Sequence, residues 1–220
     1  MNQQPILDGS AFLFAQKLSV KPAYSIKEDA VPVAGSVMTA YRRLNSLKSL
    51  GIAKTGRGRF MINTTVISQP AYLVEKLLPS LISLKNGRRF GRYYSDSDVR
   101  FVMDNISHRL VTLDYKAWEL TKFQYPADLY LYVDNIGNTI ELLKNNGFSE
   151  GKKGRIVILP MIGDFSNQIE RVYLDCIANG GRSVQDAVAI ELLHGDKLNL
   201  RGSFPVDLIR KVQEDLPMEQ

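Results

Sequence analysis

The sequence predicts an α+β chain, with an N-terminal winged helix-turn-helix over residues 1–85 followed by a C-terminal α/β domain over residues 86–220. Three observations carry that expectation. A capped amphipathic helix that stops on a glycine runs from Ser36 to Gly51. An arginine-tipped hairpin follows at once. Charge is split between the halves: residues 1–110 hold 16 Lys+Arg against 7 Asp+Glu, and residues 111–220 hold 12 against 16. Between Ala30 and Ser95, eleven basic residues stand against one acid, Glu75. Asymmetry of this kind is the footprint of a nucleic-acid-binding part joined to something else. Charge alone speaks to partners rather than fold, and a solvated basic face would satisfy it equally.

At 220 residues and 24.8 kDa the chain has room for one large domain or two small ones. A composition of 45% hydrophobic and 23% charged residues excludes a disordered or fibrous chain. The single cysteine, Cys176, has no internal disulfide partner, and the two histidines, His108 and His194, are far apart in sequence. No metal and no cofactor is expected. No apolar run reaches the roughly 20 residues that span a bilayer, and the N-terminus lacks a basic leader, so the expectation is a cytoplasmic protein with no membrane partner.

The elements follow in order. Ser10 to Leu18 reads as a helix capped by Ser10, and Ser25 to Val31 as a short helical piece stopped by Pro32. In the next helix Ser36 is the N-cap, and Val37, Ala40, Tyr41, Leu44, Leu47 and Leu50 share an apolar face. Gly51 takes the left-handed stop position. Thr39, Arg42, Arg43, Ser46 and Lys48 lie on the opposite face. Ile52 to Thr55 and Phe60 to Asn63 read as short strands around the turn Gly56-Arg57-Gly58-Arg59. A helix about 10–12 Å wide fits a major groove, with a wing reaching the backbone beside it. The candidate DNA contacts are therefore Thr39, Arg42, Arg43, Ser46, Lys48, Lys54, Arg57 and Arg59. An ordinary basic helix and hairpin would share the pattern. Tyr72 to Leu84 is expected as a helix that Pro79 either splits or kinks. Asn86 to Arg92 then reads as a basic loop, in which Arg88 and Arg89 either touch phosphate or decorate a solvated linker.

From Arg109 onward the texture reads as β-rich. Leu110–Leu113, Leu129–Val133 and Gly154–Pro160 are expected strands. Asn138–Gly147 is expected as an Asn-capped helix. Asn167–Ala178 is a helix closed by Gly180 and Gly181, and two further helices are capped by Ser183 and opened by Pro205.

Several of these segments resemble the AbiEi family, the antitoxin and transcriptional autoregulator of type IV abortive-infection toxin–antitoxin pairs. They are Ala40 to Ile52 with its glycine–arginine wing, Leu129 to Asp134 followed by Gly154 to Pro160, and Arg171-Val-Tyr-Leu-Asp-Cys-Ile-Ala-Asn-Gly-Gly-Arg182. Together they cover most of residues 30–195. The resemblance implies a winged helix that binds duplex promoter DNA and represses its own operon, with a homodimer on DNA as one arrangement. It also implies a C-terminal domain that counters a nucleotidyltransferase-like toxin without a stable complex. On that reading Tyr173, Asp175 and Arg182 mark an antitoxin surface.

Catalytic patterns fare poorly. Asp164, Glu170, Asp175, Asp186 and Glu191 lack the spacing that would gather carboxylates around shared ions. Asp175 reads better as an ion pair with Arg182 or as a partner contact. His194-Gly195-Asp196 follows a helix end, where a lone histidine is usually structural. Cys176 lies on an apolar helix face. Gly151-Lys-Lys-Gly-Arg155 lacks phosphate-loop spacing. No enzyme and no catalytic residue is expected. The alternative is a nucleic-acid-processing enzyme, or its accessory subunit, that docks substrate through the winged helix.

Overall fold

A computed structural model describes residues 7–18, 24–92, 96–151, 153–163 and 166–217. The chain is mixed α and β, with two separate sheets among the described residues. The N-terminal part begins with α1 (Gly9–Leu18), which turns Ala11, Phe14, Ala15 and Leu18 inward. The cap is Asp8 rather than the expected Ser10: its carboxylate accepts the Ser10 N–H at 2.9 Å, placing negative charge at the positive helix end. Strand β1 (Tyr24–Ser25) leads into a π-helical turn, Ile26–Ala30, and then α2 (Val31–Ala34). Pro32 does not stop this segment. It sits in the first turn of α2, where its missing N–H costs nothing.

Helix α3 (Val37–Ser49) starts where Ser36 accepts the Thr39 N–H through its hydroxyl at 3.2 Å. It stops at Gly51, whose φ of +79° is left-handed, and a Cβ there would lie 2.9 Å from the Leu81 carbonyl oxygen. Strands β2 (Ala53–Gly56) and β3 (Arg59–Ile62) form an antiparallel hairpin, and β1 pairs with β3, giving the order β1-β3-β2. The short α4 (Thr64–Ile67) leads to α5 (Ala71–Lys85), which carries Pro79 as one continuous helix.

The second sheet has the order β5-β6-β8-β4-β7, built from β4 (Arg88–Gly91), β5 (Leu110–Thr112), β6 (Leu129–Val133), β7 (Ser149–Glu150) and β8 (Ile156–Pro160). Only β6 and β8 run parallel; the other pairs are antiparallel. Their alternation is set by burial on both faces. Leu129, Leu131, Val133, Ile156 and Ile158 cluster with Val102 of α6 (Asp96–Asn105), Leu143 of α8 (Ile136–Asn145) and Phe148 just before β7. Tyr130, Tyr132, Val157 and Leu159 face the opposite way, toward α7 (Leu113–Thr121) and α9 (Gln168–Asn179). Helix α10 (Ser183–His194) packs on α9 and α7, and α11 (Val206–Asp215) seals α10 through Val212 against Val188 and Ala189.

Three further expectations are corrected. The supposed basic loop Asn86–Arg92 contains strand β4, because its arginines find acids from elsewhere in the chain. The region after Arg109 is dominated by helices α7 to α11 rather than by strands. Helix α8 begins earlier than expected: Asn135 caps it by accepting the Asn138 N–H at 3.0 Å. One hydrophobic cluster runs from Phe14, Leu44 and Leu77 through Tyr132 and Leu159 to Tyr173 and Ile177, so buried packing crosses position 85. Helix α5 makes that connection by packing along α9.

Candidate nucleic-acid interface

Burial decides which side of α3 is offered to solvent. Ala40, Leu44, Leu47 and Leu50 are buried, and truncating a leucine packed this way costs about 2–5 kcal/mol. Val37 and Tyr41, expected on that inner face, are instead 57% and 46% exposed. The apolar face is therefore narrower than the sequence pattern suggested. The outward stripe is Met38, Tyr41, Arg42, Asn45 and Lys48. These follow helical spacing, so they share one face.

The predicted contacts therefore divide. Arg42 and Lys48 are exposed. Thr39 is half-buried, and its hydroxyl accepts from Ser36 at 3.0 Å as part of the cap. Ser46 is half-buried, and its carbonyl accepts from the Ser49 hydroxyl at 2.7 Å. Arg43 departs from expectation. It lays its guanidinium 5.6 Å from the Phe14 ring centre, with Nε buried and without a hydrogen-bond partner among the described residues. It braces α1 against α3 rather than standing open to phosphate. Tyr41 and Asn45 are not singled out by sequence reasoning as contacts; the signal was their spacing of one and three residues from Arg42.

Beside α3 stands the hairpin. Arg57 and Gly58 both have positive φ, 47° and 73°, which is the backbone of a two-residue type I′ turn matched to strand twist. A non-glycine residue in that region costs energy that the paired strands must offset. The result holds Arg57 at the tip of the turn, with Arg59 opposite Gly56. Alternation along the hairpin sends Phe60 and Ile62 inward and leaves Lys54, Arg59 and Met61 outward. Phe60 stacks on Tyr24 at 4.8 Å, fixing the hairpin to β1. No carboxylate occurs between Asp29 and Glu75, so neither α3 nor the hairpin carries a counter-charge of its own.

Arg88 and Arg89 are placed differently from the expectation of free phosphate contacts. Arg88 forms a bidentate pair with Glu150 on β7. Arg89 donates to Asp128 at 2.6 Å and to the Gly154 carbonyl at 2.7 Å. Both cations are neutralised within the second sheet.

The expected antitoxin surface also separates. Tyr173 and Asp175 are fully buried, so neither can form part of an exposed surface. Asp175 does not pair with Arg182. It accepts from Arg171 at 3.1 Å, Tyr132 at 2.9 Å and Thr112 at 2.7 Å, while Arg171 also donates to the Ile162 carbonyl at 2.9 Å. Burial pushes the Asp175 carboxyl up, against the opposing pull of Arg171 and the hydroxyl donors. Arg182 is exposed and donates to the Gln124 side chain and the Tyr125 carbonyl.

Glu170, Glu191 and His194 are held structurally. Glu191 accepts from the Tyr173 hydroxyl, Glu170 accepts the Asn199 N–H at 2.6 Å, and His194 Nε2 meets the Leu120 carbonyl at 2.9 Å. Burial pushes the Cys176 thiol up, which suits an inert core residue. Burial and then Asp114 raise the Asp186 carboxyl to about 7. Asp164 lies outside the described residues. Among the described residues no cluster of three or more metal-ligating side chains occurs, and no helix is long and apolar enough to cross a membrane. No family model, curated protein or solved structure matches the chain.

Proposed function

We propose that this chain is a DNA-binding transcriptional regulator that reads duplex DNA with α3 and clamps the adjoining backbone with the β2–β3 hairpin. The observation that carries the reading is the exposure of Arg42, Lys48, Lys54, Arg57 and Arg59 on two adjoining elements that contain no acid, beside the polar and aromatic stripe of α3. The element order α1, β1, α2, α3, β2, β3, with β1 paired to β3, is the order of a winged helix-turn-helix, and it supports the same reading. Lysine and arginine contacts to phosphate supply affinity and register, whereas Asn45 and Tyr41 have the chemistry to meet base edges.

The division of labour follows from charge and from the AbiEi resemblance. The basic half binds promoter DNA and represses the operon, and the acidic half counters a nucleotidyltransferase-like toxin. An acidic part has no electrostatic reason to bind DNA. Arg182, exposed at the start of α10, is the remaining candidate for the antitoxin surface.

Fluorescence anisotropy with the purified protein tests the DNA reading. A labelled fragment from upstream of its own gene should bind at least roughly a thousandfold more tightly than a scrambled duplex, the lower end of the specific-to-non-specific ratio for regulators. Equal, weak binding to both fragments would remove the regulator reading. Growth rescue in cells expressing the adjacent toxin tests the second role.

A further inference from the structure

The outward face of the hairpin does not open to solvent along its whole length. Lys54 and Met61, opposed across β2 and β3, form one wall of a cleft of about 690 Å³. The end of α3 at Lys48, the last turn of α5 at Leu84 and Lys85, and the corner after α9 at Gly180 complete it. Asn63 locks that corner to the hairpin. Its amide donates to the Ala178 carbonyl at 2.9 Å, while its side-chain oxygen accepts the Val66 N–H at 3.2 Å. Lys85, which also lines the cleft, donates to the Ser49 carbonyl at 2.9 Å. Among the described residues three lysines line the cleft and no carboxylate does.

That combination selects a chemical class. A cation is repelled by three ammonium groups, and a bare inorganic anion leaves the apolar walls unfilled. A small organic anion with an apolar body satisfies both, since pockets bind through apolar area with a few charged groups fixing orientation. Lys48 and Lys54 also belong to the proposed DNA face, so an anion in the cleft draws on the same two charges that phosphate needs. We propose that this cleft is an effector site for an aryl or acyl carboxylate and that its occupancy releases DNA. The release half of this proposal rests on the regulator reading; the binding half does not.

The probe is anilinonaphthalene sulfonate, an aryl anion that fluoresces in apolar surroundings, titrated into the full-length protein without DNA. Saturable single-site binding is expected. The double variant Lys54→Gln with Lys85→Gln should weaken it roughly tenfold, each half-open ammonium contact contributing about threefold. Lys211→Gln, exposed on α11, should leave it unchanged, and circular dichroism establishes that each variant is folded. Excess probe should then displace the promoter fragment from the wild type. Lys85→Gln, which lies off the DNA face, should retain DNA affinity but need more probe for release. Unsaturable probe binding, or binding indifferent to the lysines, overturns the site. Lysine-dependent probe binding by a protein that cannot distinguish promoter from scrambled DNA overturns the regulator reading and leaves the site standing. Saturable binding with no displacement overturns the release.

Discussion

Arg171 and Asp175, one turn apart on α9, form a buried ion pair 3.1 Å long, with side chains only 5% and 0% exposed. The pair is tied to the second sheet through Tyr132 and Thr112, and Arg171 lies 4.8 Å from the Tyr132 ring centre. It anchors α9, and therefore the cleft corner and α5, to the strand layer.

Removing one partner of such a pair leaves an unsatisfied charge in the core. Asp175→Ala should destabilise the protein by about 3–5 kcal/mol, seen as an earlier urea midpoint. A loss below about 1 kcal/mol, the range of an exposed pair, would mean that the network contributes little.

The salt dependence of DNA binding reports phosphate contacts. Each contributes about 0.9 to the log–log slope, so Arg57→Ala with Arg59→Ala should flatten the slope by roughly 1–2 units. Arg88→Ala and Arg89→Ala should leave it unchanged, because those guanidiniums are held by Glu150 and Asp128. An altered slope in the second pair alone would move the DNA face onto β4.

On the proposed reading, Asn45 is the residue that separates specificity from affinity. If its amide meets a base edge, Asn45→Ala should cost about 1–3 kcal/mol on the promoter fragment and nothing on scrambled DNA. Arg42→Ala should weaken both fragments equally. A uniform loss with Asn45→Ala would reassign that residue to the backbone.

Asp186 makes stability pH-dependent. Its folded carboxyl titrates near 7, raised from the ordinary 3.8 first by burial and then by Asp114. The folded state binds the proton more tightly than the unfolded state, so this contribution is fully present below about pH 4 and is lost as pH rises through 7. Keeping the ionised carboxylate in the folded protein at pH 8 therefore costs stability. Asp186→Asn, which carries no charge at any pH, should gain on the order of 4 kcal/mol relative to wild type there. At pH 4 it should gain nothing. Thermal melts at the two pH values measure the difference, and a pH-independent difference would remove Asp186 as its source.

Arg182→Ala should cost about 0–1 kcal/mol of exposed interaction energy and leave DNA affinity intact. If Arg182 belongs to the surface that counters the toxin, the folded variant should fail to rescue growth. Full rescue would take Arg182 out of that surface.

Features that close within a few residues were legible in the amino-acid order. Ser36 could be read as a cap because it accepts an N–H three residues ahead, and Gly51 and Gly58 as turn residues because their backbone angles are local needs. Charge sorting between the halves was likewise legible, since it requires no coordinates. Features that depend on distant partners emerged only with the fold. Arg88 and Arg89 looked like free cations until the fold supplied Glu150 and Asp128, which lie 62 and 39 residues away. Arg43 and Tyr41 exchanged roles because the packing of Phe14 on α1, rather than the helical period, set how far α3 is buried. Asp175 found Arg171 instead of Arg182 because burial beside Tyr132 and Thr112 leaves a carboxylate no water and makes the nearest buried cation its partner.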